Sequence, residues 1–261
     1  MGRSNIEKIT QDPQQRMLLA KLWDKIQGGI RRNIPAHTGF LSPQEQELAR
    51  FLFGNEPGLV FFGGYADAER RMLCWLPEYL SEESLWEESS PVKCIHCNFY
   101  AGDSPTHRDF LGSLMGCGIA RETLGDISVG QEEAFLFVTE EIAPYILQTL
   151  TSAGRTKLST EQIALSQANI QQPAVKEIRD TVSSLRLDSI LCAGFRISRS
   201  LACSAIAAGK ASINGLPCEK NDKAVAQGDK ISLRGYGKIL LHQVNGQTRK
   251  GRISVVIHRY V

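Results

Sequence analysis

The spacing of apolar positions changes twice along this chain. In DPQQRMLLAKLWDKIQGG (12–29) they recur at helical intervals. Asp12 can cap this helix, Pro13 suits its first turn, and Gly28-Gly29 ends it. Met17, Leu18, Trp23 and Ile26 form its candidate buried side. LSPQEQELARFLFGN predicts a second helix, with a Ser42/Glu45 capping box, Pro43 in the first turn and Gly54 at the close. From about Pro57 the runs become short, apolar or alternating, bounded by Gly and Pro. GLVFFGGY, RRMLCWLP, PVKCIHCNFY, GDISVG, EEAFLFV and TKLSTEQIAL read as strands, with helices over Thr106–Met115 and Thr139–Thr151. After a polar stretch containing QANIQQP, helical spacing returns. Ser183–Cys192 forms one helix with Gly194 as its stop. Ser198 caps another over Arg199–Ala208, closed by Gly209. Short strands follow in KASING, DKISLRG, YGKILLHQV and RISVVIHRY, with turn signals at Asn214-Gly215 and Gly228-Asp229.

These elements predict an α+β protein in three parts. A helical lobe covers 1–56. A central mixed α/β domain, RRM-like or ribosomal-protein-like, covers 57–165. A linker over 166–182 leads to a module over 183–261, in which two helices pack on a small twisted sheet.

At 42% hydrophobic and 22% charged residues, the composition is that of a folded globular chain. No run approaches the roughly 20 apolar residues of a bilayer span. The seven cysteines are odd in number and no apolar leader opens the chain, so reduced thiols and a soluble, cytoplasmic protein are expected. Charge adds more. The overall +2 hides 13 Lys and Arg against 4 Asp and Glu over 186–261, a net of +9, and 17 against 24 over 1–185, a net of −7. A basic module on an acidic body points to a polyanionic partner, most simply nucleic acid.

RLDSILCAGFRISRSLACSAIAAGKASINGLPC, followed by VAQGDKISLRG, resembles the S4 RNA-binding domain. The resemblance rests on a leading R-L-D, an S-R before the second helix, a glycine and then a strand ending in N-G, and a G-D before the next strand. It covers about Ser183 to Ile239. Burial of Leu187, Ile190, Leu191, Leu201, Ala205 and Ile206 against the sheet leaves Arg186, Arg196 and Arg199 on one exposed face. Ser198 and Ser200 stand at a helix N-terminus, where N–H groups favour a phosphate. Lys210, Arg234 and Lys238 extend the patch, and Asn214 belongs to the same set. Asp188 is expected to orient a neighbouring arginine rather than touch RNA. Arg249, Lys250 and Arg252 in QTRKGR form a basic hairpin end, which a merely solvated charge run explains nearly as well.

FFGGYADAERRM (61–72), HRDFLGSLMGCGIARETLGDI (107–127) and the tail GYGKILLHQVNGQTRKGRISVVI together resemble the YlmH family, whose cyanobacterial and plastid branch is called photosystem II S4 domain proteins. The resemblance implies a non-enzymatic RNA-binding protein, with rRNA or tRNA and the large ribosomal subunit as partners. It further implies a role in rescue of stalled translation or in photosystem II biogenesis. A monomer without membrane insertion, cofactor or metal is expected. Tyr65, Arg70, Arg71, His107, Arg108 and Arg121 form a possible second RNA surface. For His107, Arg108 and Arg121, packing against the sheet is an equal explanation, and Asp126 reads as a cap or turn. Cys94-x-x-Cys97 suggests zinc, yet on a strand the two thiols point to opposite faces and cannot share an ion. The competing reading is an S4-bearing RNA-modifying enzyme of the pseudouridine synthase or methyltransferase type. No catalytic signature of either is recognisable.

Overall fold

The computed structural model describes residues 5–87, 90–100, 102–170, 174–248 and 251–260. The chain divides into two compact units, Met1–Gln171 and Gln172–Val261. The first contains α1 (Ile6–Ile9), α2 (Pro13–Arg32), β1 (Ala36–Leu41), α3 (Pro43–Phe53), β2 (Leu59–Phe62), β3 (Arg71–Trp75) and β4 (Val92–Asn98). It continues with α4 (His107–Gly116), β5 (Leu124–Val129), β6 (Glu133–Thr139), α5 (Ala143–Thr149), β7 (Ser152–Ala153), β8 (Thr156–Lys157) and β9 (Ser159–Ile163). The second contains β10 (Val175–Val182), α6 (Leu187–Phe195), α7 (Arg199–Ala207), β11 (Ala211–Ile213), β12 (Leu216–Pro217), β13 (Lys230–Leu233), β14 (Gly237–Gln247) and β15 (Ile253–Tyr260). Among the described residues, no helix is long and apolar enough to cross a membrane.

The helical start does not stand apart. AHTGFL, which carries no strand signal beyond its length, forms β1 and pairs antiparallel with β3 in a sheet of order β1-β3-β2. The strand between α2 and α3 therefore joins the N-terminal segment to residues 59–75. Along α2 the buried stripe is Leu19, Leu22, Ile26 and Gly29, at helical spacing. Met17 lies off that stripe and is 62% exposed, contrary to expectation. Nor does Gly28-Gly29 end the helix, which runs to Arg32 and stops at left-handed Asn33. Gly29 serves packing instead. A Cβ there would sit 2.5 Å from the Ala36 Cβ and 3.0 Å from the Ile34 carbonyl oxygen.

The second sheet of this unit has the order β5-β6-β4-β9, all antiparallel. Its central strand β6 is buried on both faces, which explains the unbroken apolar run of EEAFLFV, while the edge strand β9 is largely exposed. Ile95, Cys97, Leu136 and Val138 pack with Phe110 and Leu114 of α4 and Ile146 of α5. On the other face, Cys94, Phe135 and Phe137 pack with Phe40, Met72 and Cys74.

The second unit is a six-stranded antiparallel sheet of order β10-β15-β14-β13-β11-β12, with α6 and α7 packed on it. Half of the expected linker is strand. β10 pairs with β15 from Val175↔Tyr260 to Val182↔Ile253. Its polar composition hid it, since only Ile178 and Val182 face the core and the other side is solvated. The first helix begins at Leu187 rather than Ser183, because Leu185 and Arg186 pair with Val225 and Ala224. Gly194 does not stop it. It lies inside α6, where a Cβ would come 2.6 Å from the Ile239 Cδ1, and the helix ends at left-handed Arg196. Leu201 was expected in the core and is 42% exposed, outside the buried stripe of Ala202, Ala205 and Ile206.

Candidate nucleic-acid interface

Leu187, Ile190 and Leu191 are fully buried and seat α6 against Ile239, Leu241 and Ile257 of the sheet. The loop after β12 folds back over the start of this helix. Leu187 N donates to the Lys223 carbonyl at 2.9 Å and Asp188 N to the Asn221 carbonyl at 3.1 Å, so two of the helix's otherwise orphaned N–H groups are satisfied.

That seating places Asp188, with its side chain 1% exposed, between two arginines. Arg186 donates Nε to Oδ1 at 3.1 Å and Nη2 to Oδ2 at 3.2 Å. Arg199, from the first turn of α7, donates Nε and Nη2 to Oδ2 at 3.2 and 3.0 Å. Each guanidinium commits two of its five N–H donors to Asp188 and keeps the rest for the outside. The side chains are 39% and 67% exposed. One buried carboxylate thus aligns two cations and leaves them a net positive charge. Burial alone would raise the Asp188 carboxyl, but the hydrogen bonds and charges of Arg186 and Arg199 outweigh it and hold the group below the usual carboxylate range.

The neighbouring expected residues divide by what they already bind. Arg196 is exposed at the end of α6. Ser198 Oγ accepts from Leu201 N at 3.3 Å and lies 3.0 Å from Ser200 Oγ at the head of α7. Lys210 and Arg234 are exposed and adjacent, since Arg234 N donates to the Lys210 carbonyl at 2.9 Å. Lys238 stands opposite Ser232 on the next strand. Arg259, which strand alternation alone did not single out, places its guanidinium carbon 5.3 Å from the centre of the Phe195 ring at the end of α6.

Asn214 has a structural occupation. Its Nδ2 donates to Asp229 Oδ1 at 2.8 Å and its Oδ1 accepts from Lys230 N at 2.9 Å. The N-G and G-D signals are therefore two halves of one staple. Arg252 is tied to β10, donating Nε to Thr181 Oγ1 at 2.9 Å and Nη2 to the Thr181 carbonyl. Arg249 and Lys250 lie outside the described residues.

In the first unit, Tyr65, Arg70 and Arg121 gather around Asp126, while Arg71 folds back on its own loop. This carboxylate accepts from Tyr65 Oη at 2.8 Å, Glu69 N at 2.6 Å and Arg70 N at 3.1 Å. It is a bridging group rather than a simple cap or turn. The Tyr65 hydroxyl is pushed far up by burial and then by Asp126. Arg70 donates to the carbonyls of Leu124, Phe40 and Arg121 at 2.9, 2.9 and 3.2 Å. Arg121 Nη1 donates to the Leu124 carbonyl at 2.8 Å, and Arg71 Nε to the Ala68 carbonyl at 2.7 Å. Gly64 must be glycine here, with φ at +90° and a Cβ position 2.5 Å from Phe137 Cδ1. His107 and Arg108 instead stay exposed on the first turn of α4. His107 lines an open groove with Ser104, Thr106, Val129 and Gln131.

Cys94 and Cys97 point into different cores on the two faces of their sheet. Burial pushes both thiols, and that of Cys74, up to about 12. Alkylation of the native protein at pH 8 should therefore leave these three cysteines unmodified by mass spectrometry. Labelling of Cys94 or Cys97 at the rate of a free thiol would show that the sheet opens readily.

Residues 103–167 match the family described as "Putative RNA-binding domain in YlmH". "Ribosome-associated protein quality control protein P2" of Bacillus subtilis (strain 168) is 37% identical over 225 residues, 85% of this chain and 86% of the relative. The chain belongs to the YlmH family. Among solved structures, "Cell division protein ylmH from Streptococcus pneumoniae" aligns with a TM-score of 0.50 over 62% of this chain and 98% of that one. At 20% identity, that likeness concerns the fold. The matching family model and the B. subtilis relative are named for RNA binding and ribosome-associated quality control, not for a catalysed reaction.

Proposed function

We propose that this protein binds RNA through an S4-type face on its second unit and associates with the large ribosomal subunit, acting in quality control of translation. The carrying observation is the buried Asp188 that aligns Arg186 and Arg199 outward, a fixed pair of forks suited to neighbouring phosphates of folded RNA. Arg196, Ser198, Ser200, Lys210, Arg234 and Lys238 complete the face. Its charge agrees with the net +9 of residues 186–261. The B. subtilis relative, whose name carries ribosome association and quality control, supports that role over photosystem biogenesis.

The test is sedimentation with ribosomal subunits, with and without peptidyl-tRNA, across a salt series. Wild type should migrate with the large subunit and release as salt rises. Arg199→Ala should reduce the slope of log K against log salt by roughly 1, and the Arg186→Ala/Arg199→Ala variant by roughly 2. Unchanged slopes in folded variants would remove this face from the RNA contact.

A further inference from the structure

The hairpin of β7 and β8 docks on one flank of α4 through Gly154. Its N–H donates to Ser113 Oγ at 3.2 Å, and a Cβ on it would lie 3.1 Å from Asp109 Oδ1. The next residue along the hairpin is Arg155, and Lys157 ends β8 opposite Ser152. Both are exposed, as is Arg108 beside Asp109 on α4. Among the described residues, none of these three side chains has a hydrogen bond or an ion pair. The carboxylate of this flank is otherwise engaged, because Asp109 accepts from Thr106 N at 2.8 Å and Thr106 Oγ1 at 2.6 Å. Arg155 and Lys157 on the hairpin, and Arg108, whose charge acts only weakly on the neighbouring Asp109 carboxyl, therefore lie exposed along this flank without an ion pair, on a unit whose sequence is acidic overall.

The ridge of α4 that continues from Arg108 is nearly bare. A Cβ at Gly112 or Gly116 would meet nothing within 4 Å, so packing within the chain does not require glycine at either position. A bare ridge edged by unpaired cations admits a row of backbone phosphates to close range.

We propose that the outer face of α4 and the β7–β8 hairpin form a second RNA-phosphate surface, with Arg108, Arg155 and Lys157 as its cations. The proposal names a distinct contact within the RNA-binding reading above and rests on that reading. It lies within residues 103–167, the stretch that matches the family RNA-binding domain.

The test titrates deproteinised large-subunit ribosomal RNA, and separately intact large subunits, over a salt series. It compares wild type, Arg108→Ala/Arg155→Ala/Lys157→Ala, the Arg186→Ala/Arg199→Ala variant and the combination, each checked for cooperative unfolding with a midpoint above the assay temperature. Loss of the three cations should lower the salt slope on free RNA by roughly 2 to 3, in both backgrounds. A fall in the triple variant with no change in the Arg186/Arg199 variant would support this surface and sink the S4 face. The reverse pattern, with wild-type affinity and slope in the triple variant, would overturn this surface and leave the S4 face standing. Weakened binding to intact subunits with wild-type binding to free RNA would overturn it in favour of a protein contact.

Discussion

Asp126→Ala destabilises the protein by about 2–5 kcal/mol, the largest expected effect of any polar substitution in the first unit. Three donors converge on this carboxylate, from the Tyr65 hydroxyl and the backbone of Glu69 and Arg70. Removing it leaves two N–H groups and a half-buried hydroxyl unmatched, and takes from Arg70 and Arg121 one of the two carboxylates, with that of Glu45, whose charge favours both guanidinium groups. In a chain of this size each kcal/mol moves the unfolding midpoint by about 2–4 °C, so a drop of several degrees is the signature. Asp126→Asn should fall between, since one oxygen still accepts but the amide cannot receive Arg70 N. A midpoint within about 0.5 kcal/mol of wild type would mean that the loop of residues 63–70 is held by its glycines and apolar contacts alone. The salt slope of RNA binding should not move in either variant, because these side chains spend their donors inside the fold.

The second large effect separates alignment from charge. Asp188→Asn keeps the volume but removes the negative charge and one of the two acceptor oxygens that hold both guanidinium groups. Affinity for the large subunit should fall on the order of ten-fold, with a cost of about 1–3 kcal/mol in stability. Both arginines remain charged, so the salt slope should stay at the wild-type value or steepen, unlike that of the double alanine variant. Tighter binding to the large subunit would show that Asp188 only opposes RNA electrostatically and positions nothing. The pH dependence follows from the depressed carboxyl. Its contribution is complete above the unfolded value of about 3.9 and is lost as pH falls through the lower folded value. Wild type and Asp188→Asn should therefore differ in urea midpoint at pH 5 and converge towards pH 3.

Periodicity and turn chemistry made much of the second unit legible. The R-L-D, S-R, N-G and G-D signals fall at the helix starts and turns where they were expected, and Asp188 has the orienting role read for it. Helix ends were misread for one recurrent reason. Gly29 and Gly194 look like stops, yet each is a helical residue against which another segment packs closely, and the stops are left-handed Asn33 and Arg196. A sequence shows that a glycine is present but not whether its missing side chain serves a turn or a neighbour. The strand over Val175–Val182 was hidden similarly, because its pattern has meaning only once β15 lies beside it.

What the residues determined by themselves is the local grammar: caps, turns, alternating strands, a basic end and the family to which they belong. Which arginines remain available was decided only by tertiary structure. Arg70, Arg71, Arg121 and Arg252 look no different in sequence from Arg186, Arg199 or Arg155. The fold brings carbonyls, and for Arg252 a hydroxyl as well, to the first four. It gives the next two a shared carboxylate that aligns them outward, and leaves Arg155 without a partner. A guanidinium reaches its partners across tens of residues of chain, and their positions exist only after the strands have paired.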